Sequence, residues 1–204
     1  MSAEVVLVPG LWMPVAAMRV MARRLEQAGY TVHAFAYGGR ASFDDNLVRF
    51  TSCLRERLAG RPAHLVGHSL GGVLILEALH DAGVPAASAV LLGAPVRGCM
   101  AGRRLADYPG GRWMMGGCRE RWTEREARWR RAEPLGVIAG TVPLGLGRVL
   151  GRLPGDSDGV VRVEETAVEG MADRMLVPLG HSMLIFSRDV CALLDRFMRN
   201  GRFQ

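Results

Sequence analysis

The residues best equipped for covalent chemistry lie in Leu65 to Gly72, L-V-G-H-S-L-G-G, where Ser69 stands two residues from Gly67 and two from Gly71. A serine hydroxyl is a weak nucleophile until a base takes its proton, and a sharp strand-to-helix turn is what projects its oxygen towards a substrate. Glycine on both flanks allows the strand and helix backbones to approach closely enough for that turn. The pattern is short, and a chain with 26 glycines can supply it by chance, so its surroundings must decide.

Histidine is the usual base for such a serine because it gains and loses a proton near neutral pH. Of the five histidines, His33 and His64 fall in expected strands, His80 ends an expected helix, and His68 adjoins Ser69. His181 alone occupies a late loop, V-P-L-G-H-S. A base of this kind needs a carboxylate to hold its tautomer and stabilise the imidazolium. Where such a turn joins a strand to a helix of an α/β sheet, the chain order is serine, acid, histidine. That order directs attention to G-D-S-D-G-V-V, Gly155 to Val161, which offers Asp156 and Asp158.

The elements that must position these groups alternate along the chain. Short apolar runs at Val5–Val8, Thr31–Tyr37, Ala63–Val66, Ser88–Leu92, Leu135–Ala139 and Arg174–Val177 read as strands, several closed by Gly or Pro. Between them, Val15–Ala28, Asp44–Leu58, Leu70–His80 and Met183–Met198 carry helical spacing, and a short helix is expected near Gly147–Leu153. Strands alternating with helices predict an α/β fold, a mostly parallel central sheet with helices on both faces in three layers. Ser69 then follows a strand and starts a helix, as a nucleophile turn requires.

With its motifs so placed, the sequence resembles the alpha/beta-hydrolase superfamily, and within it the small bacterial lipases and esterases. There a D-G-V-V-like segment carries the acid and a late G-H-S segment the base. The resemblance runs from V-L-V-P-G-L-W to the final helix and is weakest over Val96 to Glu133. It implies a serine hydrolase that cleaves carboxylic esters through an acyl-enzyme, with Ser69 as nucleophile, His181 as base and Asp158 as acid, Asp156 being the alternative. Backbone N–H groups of Leu11 and Leu70 are then the oxyanion donors, and Trp12 and His68 are candidate substrate-binding side chains. Neither cofactor nor metal is implied. Acyl transfer by the same residues, and a non-catalytic binding protein on the same fold, remain open as alternatives.

Composition bounds the rest. At 204 residues with 49% apolar and 23% charged residues, the chain suits one globular domain spanning 1–204. Cys53, Cys99, Cys118 and Cys191 are scattered without a C-x-x-C pair or zinc-ligand spacing, so unpaired thiols are expected, with Cys99–Cys118 the one pairing to consider. No secretory leader or membrane-length apolar run is visible at the start, which makes a cytoplasmic location the default, although a chain whose leader had been removed would read the same. The net charge of +6 comes from arginine alone, and its spread among acids favours a solvated surface over nucleic-acid binding. The insertion at about 96–133 interrupts the strand–helix rhythm. Its 112–131 segment concentrates arginine and carries Trp113, Trp122 and Trp129. Trp122 and Trp129 would share one face of a helix, with Glu124–Arg128 and Glu126–Arg130 as i, i+4 pairs. Two roles follow for this segment: a surface helix packed on the domain, or a lid over an acyl pocket that touches an ester or a lipid surface transiently.

Overall fold

Each apolar run becomes a strand of one sheet in the computed structural model, which describes residues 2–38, 41–80, 83–144 and 151–204 and, within these, all side chains except those of 119–121. The strands are β1 (Glu4–Val8), β2 (Thr31–Ala34), β3 (Ala63–His68), β4 (Ala86–Leu92), β5 (Leu135–Gly140) and β6 (Asp173–Val177). Their spatial order is β2-β1-β3-β4-β5-β6, and every neighbouring pair is parallel. The order reverses once, beside β1 and β3, so the loops after those two strands open on the same crevice at the carboxyl ends of the strands.

The helices are α1 (Arg19–Gln27), α2 (Phe43–Leu58), α3 (Leu70–Ala78), α4 (Met100–Asp107), α5 (Gly111–Met115) and α6 (Arg188–Asn200). Successive strand residues go to opposite faces, as the pleat demands. On one face Val6, Val8, Leu65 and Leu91 pack with Phe50 and Leu54 of α2 and Val73 of α3. On the other, Val5, Leu7, Val66 and Val90 pack with Met21 and Leu25 of α1 and Leu194 and Phe197 of α6. Burial on both faces is why these strands are continuous apolar runs instead of alternating ones. The result is the three-layer arrangement of helix, sheet and helix.

Three expectations change. The last helix begins later than Met183, because Ser187 accepts a hydrogen bond from Val190 N–H at 3.3 Å and caps α6. His181–Ile185 forms a separate 3₁₀ turn before it. Within the insertion no long helix joins Trp122 to Trp129. Gly110 (φ 79°) and Gly116 (φ 55°) break it into α4, α5 and the 3₁₀ turn Gly116–Trp122, after which residues 123–133 run without helix. The expected i, i+4 pairs are accordingly replaced: Glu124 pairs with Arg103 at 2.8 Å, and Arg128 pairs with both Glu126 and Glu169. The four cysteines are free thiols, so Cys99 and Cys118 form no bridge. The first part of the expected helix near Gly147–Leu153 lies outside the described residues, and 151–153 are not helical. No described helix is long and apolar enough to cross a membrane.

Candidate active site

β3 ends at His68 and α3 begins at Leu70, so Ser69 makes the whole turn in one residue. Its backbone is held at φ 52° and ψ −124°, a region that side-chain-bearing residues rarely occupy. Ser69 N–H donates to Leu92 O of the neighbouring strand at 2.9 Å, which ties the strained residue into the sheet. The glycines make the approach possible. A Cβ on Gly67 would lie 2.5 Å from Gly72 Cα, and one on Gly71 would collide with the carbonyls of Val8 and Pro9. The turn is therefore wedged between its own helix and the loop after β1.

That loop carries Leu11 and Trp12. Trp12 has φ 61°, so two of the three non-glycine residues with positive φ among the described residues, Trp12 and Ser69, line the same cavity. Neither the Leu11 nor the Leu70 N–H donates to another backbone carbonyl among the described residues. For Leu70 this follows from its place in the first turn of α3, where N–H groups have no helical acceptor.

Asp158 and His181 meet on the opposite side. His181 Nδ1 donates to Asp158 Oδ2 at 2.7 Å, and His181 N–H donates to Asp158 O at 2.9 Å. Asp158 Oδ1 accepts from Val160 N–H at 2.9 Å and Val161 N–H at 2.7 Å, so the D-G-V-V segment folds back to fix its own carboxylate. With Nδ1 committed as donor, the free nitrogen of a neutral His181 is Nε2, an acceptor. Asp156, the alternative acid, is exposed and lines a separate open recess with Thr141, Pro143 and Arg152. That recess, about 640 Å³, contains neither Ser69 nor His181.

Ser69 and His181 line one cavity of about 150 Å³ together with Leu11 and Trp12. The insertion supplies its far wall through Ala101, Gly102 and Leu105 of α4, Met115 of α5 and Trp122. Trp12 also reaches the insertion directly, donating from Nε1 to Met114 O at 2.9 Å. No hydrogen bond joins Ser69 Oγ to His181 Nε2 among the described residues; unliganded sites of this kind are often looser than their working complexes.

Of the two expected substrate-binding side chains, Trp12 lines the cavity and His68 does not. His68 is 1% exposed, with its ring 4.6 Å from that of His181 between centroids. Its Nε2 donates to His181 O at 3.0 Å, so it ties the serine turn to the histidine loop from behind. Burial first, and then the nearby His181, lower its pKa to about 3, which keeps the ring neutral.

One residue that sequence reasoning passed over is Gly93. It follows β4 with φ 53°, and a Cβ there would stand 2.8 Å from Asp158 Oδ2 and 3.3 Å from His181 Nδ1. The only signal in the sequence was Gly93-Ala94-Pro95 at the end of a strand, which reads equally well as an ordinary turn. Among the described residues no cluster of three or more His, Cys, Asp or Glu could hold a metal ion.

The geometry has counterparts in known proteins. A family model described as the alpha/beta hydrolase family matches residues 5–198. Among solved structures, the mature form of the lipase BlEst2 from Bacillus licheniformis superposes with a TM-score of 0.77 at 20% identity, covering 98% of this chain and 92% of that one. This chain spans 47% of that lipase's propeptide form. The metagenomic carboxyl esterase MGS0156 gives 0.69 at 18% identity, over 88% of this chain and 64% of that one. The RedJ thioesterase of the prodiginine pathway in Streptomyces coelicolor gives 0.62 at 16% identity, over 98% and 84%. No curated protein matches the sequence.

Proposed function

The chain belongs to the alpha/beta hydrolase family, and from that premise we propose that it is a serine hydrolase of carboxylic esters. The observation that carries this reading is the strained Ser69, which shares one cavity with a His181 whose Nδ1 is bonded to Asp158. A binding module has no physical need for a serine held in a costly backbone conformation opposite an oriented imidazole. The mature lipase and the carboxyl esterase that superpose on the chain support the same chemistry by analogy of fold.

In this mechanism Ser69 Oγ attacks the acyl carbonyl while His181 Nε2 takes the hydroxyl proton. The carbonyl π electrons move to oxygen, and the N–H groups of Leu11 and Leu70 receive the oxyanion. Asp158 keeps the Nδ1–H tautomer and stabilises the imidazolium without itself being protonated. Collapse of the tetrahedral intermediate breaks the bond to the alcohol oxygen, which leaves with the proton from His181 Nε2–H. Water, deprotonated by His181, then cleaves the Ser69 acyl ester by the same steps and returns the free acid and the serine. The sum is ester plus water to acid plus alcohol.

The test is turnover of 4-nitrophenyl butanoate by native protein and by Ser69→Ala. Native protein hydrolyses it, and the variant loses at least about 10⁴-fold in kcat, as removal of a triad nucleophile does. Retention of most of the activity in Ser69→Ala would refute the assignment.

A further inference from the structure

We infer that the cavity beside Ser69 is an acyl pocket for short, uncharged acyl groups of about four to six carbon atoms, with Trp122 and Leu105 as the walls that limit their length. The inference rests on the ester-hydrolase reading and goes further by naming the substrate class.

Volume is the first argument. At about 150 Å³ the cavity is the size that accommodates one benzene molecule, and it falls below the usual range for drug-sized ligands. Polarity is the second. Apart from Ser69, His181 and the Nε1–H of buried Trp122, which has no hydrogen-bond partner among the described residues, the lining is apolar, and it contains no Asp, Glu or Arg. Its one thiol, Cys99, is pushed up to about 12 by burial and stays uncharged. A carboxylate or ammonium at the end of an acyl chain would lose its water there and find no opposite charge to pair with.

The walls are also pinned. The Trp122 ring lies flat enough on α4 that a Cβ at Gly102 would sit 3.0 Å from its Cγ. Trp122 O accepts from Cys99 N–H at 3.0 Å and from Arg103 Nη1 at 3.3 Å, which ties the ring's backbone to the start of α4. Trp122 itself is 6% exposed, packed in the core cluster that includes Val96, Ala101 and Met115. A longer chain must displace these side chains or leave its end in water.

The experiment is a series of 4-nitrophenyl esters from acetate to dodecanoate, with native protein, Ser69→Ala, Trp122→Ala and Leu105→Ala. Native kcat/KM should rise by up to about fourfold per methylene to C4–C6 and fall at least about tenfold by C10. The 4-nitrophenyl monosuccinate, equal in length to the butanoate but ending in a carboxylate, should lie at least about tenfold below it. Trp122→Ala should move the optimum to longer chains, and Leu105→Ala should do the same if the tryptophan variant does not fold. Ser69-dependent turnover that peaks at C10 or beyond, or an optimum unmoved in the folded variants, overturns the pocket assignment alone. Absence of Ser69-dependent turnover at every length overturns the ester reading with it.

Discussion

Ser69, Asp158 and His181 differ in how each is held, and the differences predict how each responds to substitution. Asp158 is 1% exposed and receives three hydrogen bonds on its carboxylate, whereas Asp156 is exposed and faces a different recess. Asp158→Asn should lower kcat by about 10⁴-fold through the wrong histidine tautomer, and Asp156→Asn should change it by less than about threefold. Steady-state kinetics on one ester checks the ranking, and a reversal would move the acid. Ser69, the loop of Asp156 and Asp158, and His181 were legible in the sequence as candidates in that chain order; which of two aspartates two residues apart turns towards His181 depends on the Val160 and Val161 N–H groups. His68 was legible as a neighbour of Ser69 and a candidate for substrate binding, not as a buried tie behind His181. Its buried ring predicts a pH effect with a definite sign. The folded protein holds His68 neutral down to about pH 3, while the unfolded chain takes up the proton near 6.5. Its contribution to stability is therefore complete above pH 6.5 and is lost as pH falls from there towards 3, at up to about 1.4 kcal/mol per pH unit. Partly buried His64 shifts in the same direction and serves as a background present in both proteins. The urea midpoint should thus drop more between pH 7 and pH 5 in native protein than in His68→Gln, and equal drops would remove His68 from the account.

At the scale of elements, the insertion is the part whose form was least legible and whose placement matters most to the cavity. Its tryptophans and paired charges suggested one amphipathic helix, but the Gly110-Gly111 and Gly116-Gly117 pairs turn the chain into short pieces. These pieces are anchored by side chains from distant segments. Glu165, 4% exposed, accepts from Met100 N–H at 2.7 Å and from Arg162 N–H at 2.9 Å, and Arg97 N–H donates to its carbonyl at 3.0 Å. One buried carboxylate therefore joins the first turn of α4 to the segment that follows Asp158. Arg125 reinforces the same junction, donating to Val96 O at 2.8 Å and pairing with Glu77 of α3 at 3.3 Å. Removing the Glu165 carboxylate leaves the part-buried Met100 and Arg162 N–H donors without that acceptor and Arg162 without a buried partner. Glu165→Ala should cost about 2–4 kcal/mol in urea unfolding, as breaking a buried hydrogen-bonded charge does. A loss below about 0.5 kcal/mol would show that α4 is held chiefly by its apolar packing.

Over the whole molecule, alternation was the most readable property, because both faces of the sheet are covered and each strand had to be apolar throughout. The two cores, one under α2 and α3 and the other under α1 and α6, follow directly from that pattern. Less readable were contacts between residues far apart in the chain, such as Gly93 against Asp158 and Trp12 against Met114, since neither local spacing nor composition records them. The place of three of the arginines is likewise read only from the folded chain. Arg103 donates to Trp122 O and Arg125 to Val96 O within the insertion, and Arg131 donates to Leu79 O and Val84 O between α3 and β4, which makes these arginines fasteners of the fold. Within this frame the strained Ser69 and the oriented His181 line one cavity. The most direct measurement is intact-mass analysis after treatment with a fluorophosphonate, followed by peptide mapping. The account predicts a single adduct on Ser69 in native protein, lost in Ser69→Ala and strongly slowed in His181→Ala. A native protein that stays unlabelled, or an adduct on any other residue, would contradict it.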